Sequence, residues 1–176
     1  MIEITAAETK DFDKVRAFYY SMIDAMENAE YGPGWKKGVY PADEYMQSSI
    51  ERGELFLGMV GDEIAAAMIV NHDCNESYSD VDWPTPAKPH ETTVIHALGV
   101  HPDFGGRGYA KELVRWVIAR ANADGQRVIR LDVLEGNIPA ERLYTGLGFK
   151  YVATAPMFYE DTGWTNYIVY EFLLSL

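Results

Sequence analysis

The chain has a single cysteine, no long hydrophobic run and few basic residues. Cys74 has no second cysteine with which to form an internal disulfide, so we expect a reducing compartment. The longest apolar run, IAAAMIV at 64–70, is far too short to cross a bilayer. The N-terminus also lacks the basic region and apolar region of a signal peptide. These absences predict a cytoplasmic protein with no membrane partner.

Basic residues are outnumbered, with 15 Lys and Arg against 27 Asp and Glu and a net charge of −12. Nucleic acids and anionic membranes bind patches of Lys and Arg, so this excess of acidic residues argues against both as partners. A cationic substrate would instead be attracted. Solubility alone also accounts for an acidic surface, and the sequence leaves that alternative open.

The 176 residues are enough for one well-packed domain, and we expect a single domain over 1–176. Apolar periodicity alternates between the strand and the helix pattern along the chain. The predicted strands are 2–7, 54–60, 63–71, 92–100, 127–134, 148–156 and 165–174. The predicted helices are 10–28, 42–52, 107–123 and 138–146. The aromatic-rich segment 30–41 and the polar, proline-containing segment 73–90 are predicted to be loops, the second on the surface.

The most informative segment joins an apolar strand, VIHALGV, to an amphipathic helix through the turn HPDFGGRGYA. Glycine allows the backbone to approach a ligand closely, and the free N–H groups of a helix N-terminus bind anions. Arg107 and Lys111 would add local positive charge. By itself this turn is a weak signal, because it has neither the dinucleotide spacing GxGxxG nor the ending GK[ST] of a triphosphate loop. A glycine turn that only lets the helix pack is the alternative.

Two linked motifs make the signal specific. The first is Val100-His101-Pro102-Asp103-Phe104 followed by Gly108-Tyr109-Ala110, and the second is Asn137, then Tyr144, then Gly148-Phe149. In both motifs the chain resembles the GNAT superfamily of N-acetyltransferases. The resemblance implies an α/β fold with a mixed, mostly antiparallel sheet that is splayed between the fourth and fifth strands and flanked by about four helices.

The resemblance also implies acetyl-CoA as cofactor and a primary amine as acceptor, acetylated by direct attack in a ternary complex. The backbone of Leu98 and Val100 would bind the pantetheine arm, and the amides of Gly99 and Val100 would polarise the thioester carbonyl. Asn137 would bind the arm from the other side. The pyrophosphate cradle would consist of Gly106, Arg107, Gly108, Tyr109, Ala110 and Lys111. One departure is Gly105, where the family usually has Arg or Gln.

Three residues are candidates for acid–base catalysis. Tyr144 matches the family tyrosine that protonates the leaving thiolate, although a core tyrosine would fit the same helix. Asp132 is unusual within VIRLDVL and is a candidate base, unless it pairs with an arginine or is simply exposed near the strand end. His96 is the other candidate base, on the face of Leu98 and Val100 if strand alternation holds. A hydrogen-bonded core histidine is the alternative.

The acceptor is not specified by these motifs. Trp35 and Tyr40, in the loop expected to border the acceptor site, are candidates for binding a cation. Large residues that cap the core are the alternative. The acceptor is either a small cationic amine or a peptide or protein amine, and the sequence leaves both alternatives open. The acidic net charge favours the small amine. The other histidines show no metal-ligand spacing, so no metal is expected. A catalytically silent acyl-CoA-binding regulatory module of the same fold is the rival function, and a homodimer stays open because many relatives dimerise.

Overall fold

A seven-stranded sheet organises the molecule. The computed structural model describes residues 1–175, and its strands are β1 (Glu3–Ala6), β2 (Leu55–Val60), β3 (Glu63–Asn71), β4 (Thr92–Val100), β5 (Val128–Leu134), β6 (Lys150–Tyr159) and β7 (Gly163–Leu173). They lie in the order β1-β2-β3-β4-β5-β7-β6. Each neighbouring pair is antiparallel except β4 and β5, which are parallel. The prediction of a mixed, mostly antiparallel sheet is confirmed.

Four α-helices cover the two faces of the sheet. They are α1 (Phe12–Ala25), α2 (Asp43–Glu51), α3 (Tyr109–Ala123) and α4 (Ile138–Gly146). The helix predicted from residue 107 begins at Tyr109, because Gly108 before it has a left-handed φ of 81° that a helix cannot include. Within the described chain, none of these helices is long and apolar enough to cross a membrane.

Each face of the sheet has its own apolar core. α3 and α4 bury a stripe that includes Leu113, Val117 and Tyr144 against one face. α1 and α2 bury a second stripe, including Tyr19 and Met46, against the other face. The helices therefore cover both faces of the sheet, and a cavity within the sheet needs a gap between strands.

Such a gap opens between β4 and β5. The two strands pair only at their beginnings, where Thr92, Thr93 and Val94 lie opposite Val128, Ile129 and Arg130. Beyond Val94, β4 pairs with β3 alone, while β5 continues its pairing with β7 up to Leu134. The backbone of the second half of β4 is therefore free on the side of the gap, as the splayed sheet predicted from the sequence requires.

A β-bulge at Ala97 bends β4 where the gap begins. Ala97 has a φ of 49°, unusual for a residue with a side chain, and the register with β3 shifts between Ala67 and Ile69. The hydroxyl of Tyr19, buried in α1, donates a hydrogen bond to the Ala97 carbonyl at 2.8 Å. This bond holds the bulge from the α1 side of the sheet.

The segment 73–90 is more than the surface loop predicted from its polar composition. It contains two short 3₁₀ turns, Glu76–Asp80 and Pro89–Glu91. Tyr78 is buried in a small cluster with residues of β6 and β7. Trp83 covers the guanidinium of Arg130, 4.2 Å from its ring centroid, and donates to the Tyr78 carbonyl. The segment is otherwise at the surface and without α-helix or strand, as predicted, and the buried position of Tyr78 was missed because these aromatic contacts are distant in sequence.

Candidate active site

A surface cleft of about 620 Å³ runs along the gap side of β4 to the start of α3, and we call it the outer cleft. All ten residues that the sequence assigned to cofactor binding lie along it. They are Leu98, Gly99, Val100, Gly106, Arg107, Gly108, Tyr109, Ala110, Lys111 and Asn137. Met22 of α1 and Phe104 of the turn are among the other residues that line it.

The turn before α3 presents free backbone N–H groups to the outer cleft. Gly108 adopts its left-handed conformation without strain because it has no Cβ. The first hydrogen bond of the helix runs from the Glu112 N–H to the Gly108 carbonyl at 3.1 Å, so the amides of Tyr109, Ala110 and Lys111 have no acceptor within the helix. Such a group of donors at a helix N-terminus is suited to a phosphate.

Three basic side chains surround these amides. Arg107 and Lys111, which the sequence indicated, lie in the outer cleft together with Arg142 of α4. Arg142 was missed because the motifs stop at Asn137 and resume at Tyr144. In a chain with net charge −12, a cleft with three basic residues marks a local site for an anion.

The end of β4 offers backbone groups to the cleft at alternate residues. The His101 N–H donates to the Ala65 carbonyl of β3 at 2.9 Å, and backbone groups alternate in direction along a strand. With Gly99 opposite Ala67 in the same register, the Gly99 N–H is turned towards β3 and the Val100 N–H towards the gap. Of the two amides expected to polarise a thioester carbonyl, the Val100 amide faces the gap.

Gly99, whose N–H is turned towards β3, has a steric role. A Cβ at this position would lie 2.6 Å from the Met22 sulfur and 3.1 Å from the Trp35 ring. Glycine therefore lets α1 and the 30–41 segment pack directly on β4. Gly105 stands where the family usually has Arg or Gln. A Cβ on Gly105 would lie 3.0 Å from the Pro102 carbonyl oxygen, so a larger residue would push against this turn.

A smaller cavity of about 90 Å³ continues from the outer cleft into the gap, and we call it the inner recess. Leu98, Asn137 and Trp35 line both spaces, so the two are contiguous. The five residues proposed from the sequence for catalysis or acceptor binding lie on its walls. They are Trp35, Tyr40, His96, Asp132 and Tyr144.

Asp132 lies on β5 between Leu131 and Val133, which pack on the α3 and α4 face, so its side chain points to the opposite face. Its Oδ2 accepts hydrogen bonds from the hydroxyls of Tyr78 at 2.7 Å and Tyr159 at 2.8 Å. These phenols take the place of the arginine partner considered from the sequence. Burial raises the pKa of Asp132 above its ordinary value, and the two hydrogen bonds oppose that rise. Within residues 1–175, Oδ1 accepts no hydrogen bond.

Tyr144 approaches the recess from α4, on the face opposite to Asp132. Its ring packs edge-on against Phe149. Burial raises the pKa of the Tyr144 hydroxyl, so the group stays protonated at neutral pH and can donate a proton. No residue among 1–175 forms a hydrogen bond with this hydroxyl. The gap between the strands thus lets a phenol from one face and a carboxylate from the other reach one space.

Strand alternation would place His96 on the same face as Leu98 and Val100, but in the structure it lies on the other face. The Ala97 bulge interrupts the alternation, so His96 turns to the α2 side, where its ring packs edge-on against Tyr45. Its Nε2 lies 2.8 Å from Oδ1 of Asn71. Burial lowers the pKa of His96 from 6.5 to about 4, which makes it a weak base.

Aromatic rings form much of the recess wall. Trp35 packs against Tyr40, and Tyr40 packs edge-on against Tyr159. Tyr159 was expected in a loop but is the last residue of β6, where it reaches both Tyr40 and Asp132. Tyr167 of β7 packs on Tyr159 and was missed, because nothing in its strand pattern separates it from core tyrosines.

Asp161, in the turn between β6 and β7, was also missed. It lines the recess, is 5% exposed, and its Oδ1 is buried without a hydrogen-bond partner among the described residues. A Cβ on Gly34 would lie 3.0 Å from the neighbouring Thr162, which shows how closely the 30–41 segment covers this turn. In sequence, YEDTG is an ordinary hairpin turn, and only the tertiary contact reveals the buried carboxylate.

A splayed sheet with an anion-binding turn beside the gap is the architecture of an acyl-CoA-dependent acyltransferase. The model of the acetyltransferase (GNAT) family matches residues 20–149, and the chain belongs to this family. The structure of the Salmonella typhimurium protein yncA with its cofactor acetyl-CoA has the same fold. It superposes with a TM-score of 0.71 at 16% identity, over 100% of this chain and 95% of that chain.

Curated relatives match over shorter segments. The chain is 35% identical over 71 residues to an uncharacterized N-acetyltransferase of Methanocaldococcus jannaschii, which covers 40% of this chain and 31% of that protein. It is 34% identical over 69 residues to a ribosomal protein alanine N-acetyltransferase of Haemophilus ducreyi, covering 39% of this chain and 47% of that protein. The chain thus spans less than half the length of these relatives.

Acetyl-CoA is the cofactor of this family, and the residues of the outer cleft fit it. The free amides before Glu112 and the three basic side chains suit its phosphates. The unpaired edge of β4 offers hydrogen-bonding groups to an amide-containing arm.

Proposed function

We propose that this protein is an N-acetyltransferase that acetylates a primary amine of a compact cationic molecule. One observation carries the proposal: the outer cleft, with three basic residues, leads into a recess whose described lining has two carboxylates and no Lys or Arg. The anionic cofactor and a cationic acceptor would therefore each have a compartment of opposite charge.

When bound, acetyl-CoA supplies an acetyl group as a thioester that an amine can attack directly. The Val100 N–H, turned towards the gap, would donate to the thioester carbonyl as part of an oxyanion site. Asn137, at the junction of cleft and recess, would orient the arm. Ordering both partners in this way supplies much of the effect, because proximity alone lowers a barrier substantially.

Asp132 is the base that the geometry favours over His96. Alkyl amines have a pKa near 10.4 and are protonated at neutral pH, so one proton must leave before attack. Asp132 has a free Oδ1 in the recess and a raised pKa, which moves a carboxylate towards the range of a useful base. His96 is committed to Asn71 and has its pKa lowered to about 4.

Tyr144 is the acid that would protonate the leaving thiolate. It has a free, protonated hydroxyl and reaches the recess from the face opposite Asp132, so the two proton transfers occur on opposite sides of the reacting centre. A thiol has a pKa near 8.5, and its thiolate is already a fair leaving group. Tyr144→Phe should therefore lower kcat towards the small end of the roughly 10²–10⁴-fold range for such catalysis, with the KM of acetyl-CoA unchanged.

Release of the CoA thiol, measured with acetyl-CoA and a panel of amines and peptides, tests the proposal. We expect release that depends on a small cationic amine and slows in Tyr144→Phe. Tight binding of CoA without acceptor-dependent release would favour the rival function of a silent regulatory module. To confirm that the cofactor occupies the outer cleft, Gly108→Val should raise the Kd of CoA, since a β-branched residue is strained at this positive φ.

A further inference from the structure

The inner recess has two carboxyl groups, one more than a single reacting amine can engage. Asp132 and Asp161 both line it, and no Lys or Arg of residues 1–175 forms an ion pair with either carboxylate. Lys36 influences Asp161 from a distance, but its side chain is exposed to solvent. His96, the remaining titratable base on the wall, is neutral at pH 7 because its pKa is about 4.

The two carboxylates differ in how they are satisfied. Two phenols donate to Oδ2 of Asp132, which leaves its Oδ1 for the proton of the reacting amine. Asp161 has a buried Oδ1 with no partner. A buried carboxylate oxygen without a partner is costly, and a bound cation would satisfy it.

From this arrangement we infer that the acceptor is a short aliphatic diamine, and that Asp161 binds the ammonium group that does not react. The inference rests on the proposed function. The amine that attacks must be neutral, so it contributes no charge to the recess when it reacts, and a second ammonium is needed to balance Asp161. Tyr40, Tyr159 and Tyr167 line the same recess as Asp161, and aromatic rings favour an organic cation.

The size of the recess favours a short molecule. Its volume of about 90 Å³ is well below the roughly 300–1,000 Å³ of pockets for drug-sized ligands. The 30–41 segment packs over the turn that contains Asp161, as the close approach at Gly34 shows. A compact alkyl chain with an amine at each end fits this space better than the backbone and side chains of a peptide.

The test compares putrescine with butylamine, which has the same carbon chain but one amine. We expect the full chain with acetyl-CoA to show a kcat/KM about 100-fold higher for putrescine, as befits a buried charge pair. Asp161→Asn should remove this preference by lowering kcat/KM for putrescine about 100-fold while leaving that for butylamine within about threefold. Glu160→Gln, an exposed neighbour in the same turn, is the matched control and should leave both values unchanged.

Binding and stability give readouts that do not depend on turnover. Calorimetry in the presence of CoA should detect putrescine binding to the unmodified chain and to Glu160→Gln, and its loss in Asp161→Asn. The free Asp161→Asn protein should be at least as stable to heat as the parent, because the substitution removes an unpaired buried charge. This also shows that the variant folds.

The outcomes separate the inference from the function on which it rests. Four results would each overturn the diamine acceptor. They are equal rates with putrescine and butylamine, an unchanged preference in Asp161→Asn, an equal loss of kcat/KM for both amines in that variant, and faster acetylation of a peptide with a free N-terminus. The proposed function would still stand in the first three cases, whereas faster acetylation of a peptide would also overturn its compact acceptor. If no amine or peptide caused thiol release, the proposed function itself would fail.

Discussion

Asp132 shows how a single residue acquires its role from contacts that no local pattern contains. The sequence marked it as an unusual carboxylate in an apolar strand, and that interpretation needed only the composition of VIRLDVL. Its partners, Tyr78 and Tyr159, come from the segment before β4 and from the end of β6. Because both donors bind the same oxygen, they orient the carboxylate and leave the other oxygen facing the recess.

If Asp132 is the base, Asp132→Asn should lower kcat/KM by roughly 10²–10⁴-fold and remove the acidic limb of the pH–rate profile. Tyr78→Phe gives the sharper comparison. It removes a hydrogen bond that lowers the pKa of Asp132, so the acidic limb should move to higher pH while the activity on the plateau persists.

The unmodified enzyme provides the reference profile, and circular dichroism of both variants confirms folding. An acidic limb that stays in place in Asp132→Asn and Tyr78→Phe would assign the titration to another group.

At the scale of secondary-structure elements, the sequence predicted what local chemistry determines. The bounds of the strand 92–100 and of the helix 138–146 agree with β4 and α4, since alternation and a proline near the helix start specify them. The splay beside β4 was implied by the family resemblance, and the bulge within β4 could not be derived from VIHALGV itself. Its position depends on Tyr19, which is 78 residues away in sequence.

This dependence predicts the effect of Tyr19→Phe. The substitution keeps the buried ring but leaves the Ala97 carbonyl without its hydroxyl donor, which should cost about 1–3 kcal/mol of the free energy of unfolding. The bulge also shapes the end of β4 at the cleft, so the Kd of CoA should rise as well. Denaturant unfolding and calorimetry measure the two effects.

Tyr20→Phe is a suitable control on the same helix, because its hydroxyl donates a hydrogen bond to Asp43 and not to β4. Equal stability and CoA affinity in Tyr19→Phe and the parent would show that the bulge holds without this bond.

At the scale of the whole molecule, charge is divided between two connected spaces. The net charge of −12 gave no position for any charge. Three basic residues meet at the outer cleft and two carboxylates meet at the inner recess. Arg142 and Asp161 complete these groups, and neither lies in a motif. The donor site could therefore be predicted from the sequence, whereas the acceptor site depends on how the 30–41 segment and the β6–β7 turn pack together.

The same buried groups determine how the stability of the whole molecule responds to acid. The folded state lowers the pKa of His96 from 6.5 to about 4, so as the pH falls through this window the unfolded chain binds a proton that the folded chain does not. The contribution of His96 to the free energy of unfolding is therefore fully present above about pH 6.5. It falls by on the order of 3 kcal/mol towards pH 4. Asp132 and Asp161 act in the opposite direction, because their raised pKa values let the folded state bind protons first.

His96→Gln isolates the histidine from the carboxylates, which both proteins share. The glutamine amide can still donate to Oδ1 of Asn71, where His96 Nε2 lies at 2.8 Å in the parent. Between about pH 7 and pH 4 the parent should lose on the order of 3 kcal/mol more than His96→Gln in urea-unfolding free energy. If the unfolding free energies of the two proteins changed in parallel with pH, His96 would be protonated equally in the folded and unfolded states. That result would restore it as a candidate base with an ordinary pKa.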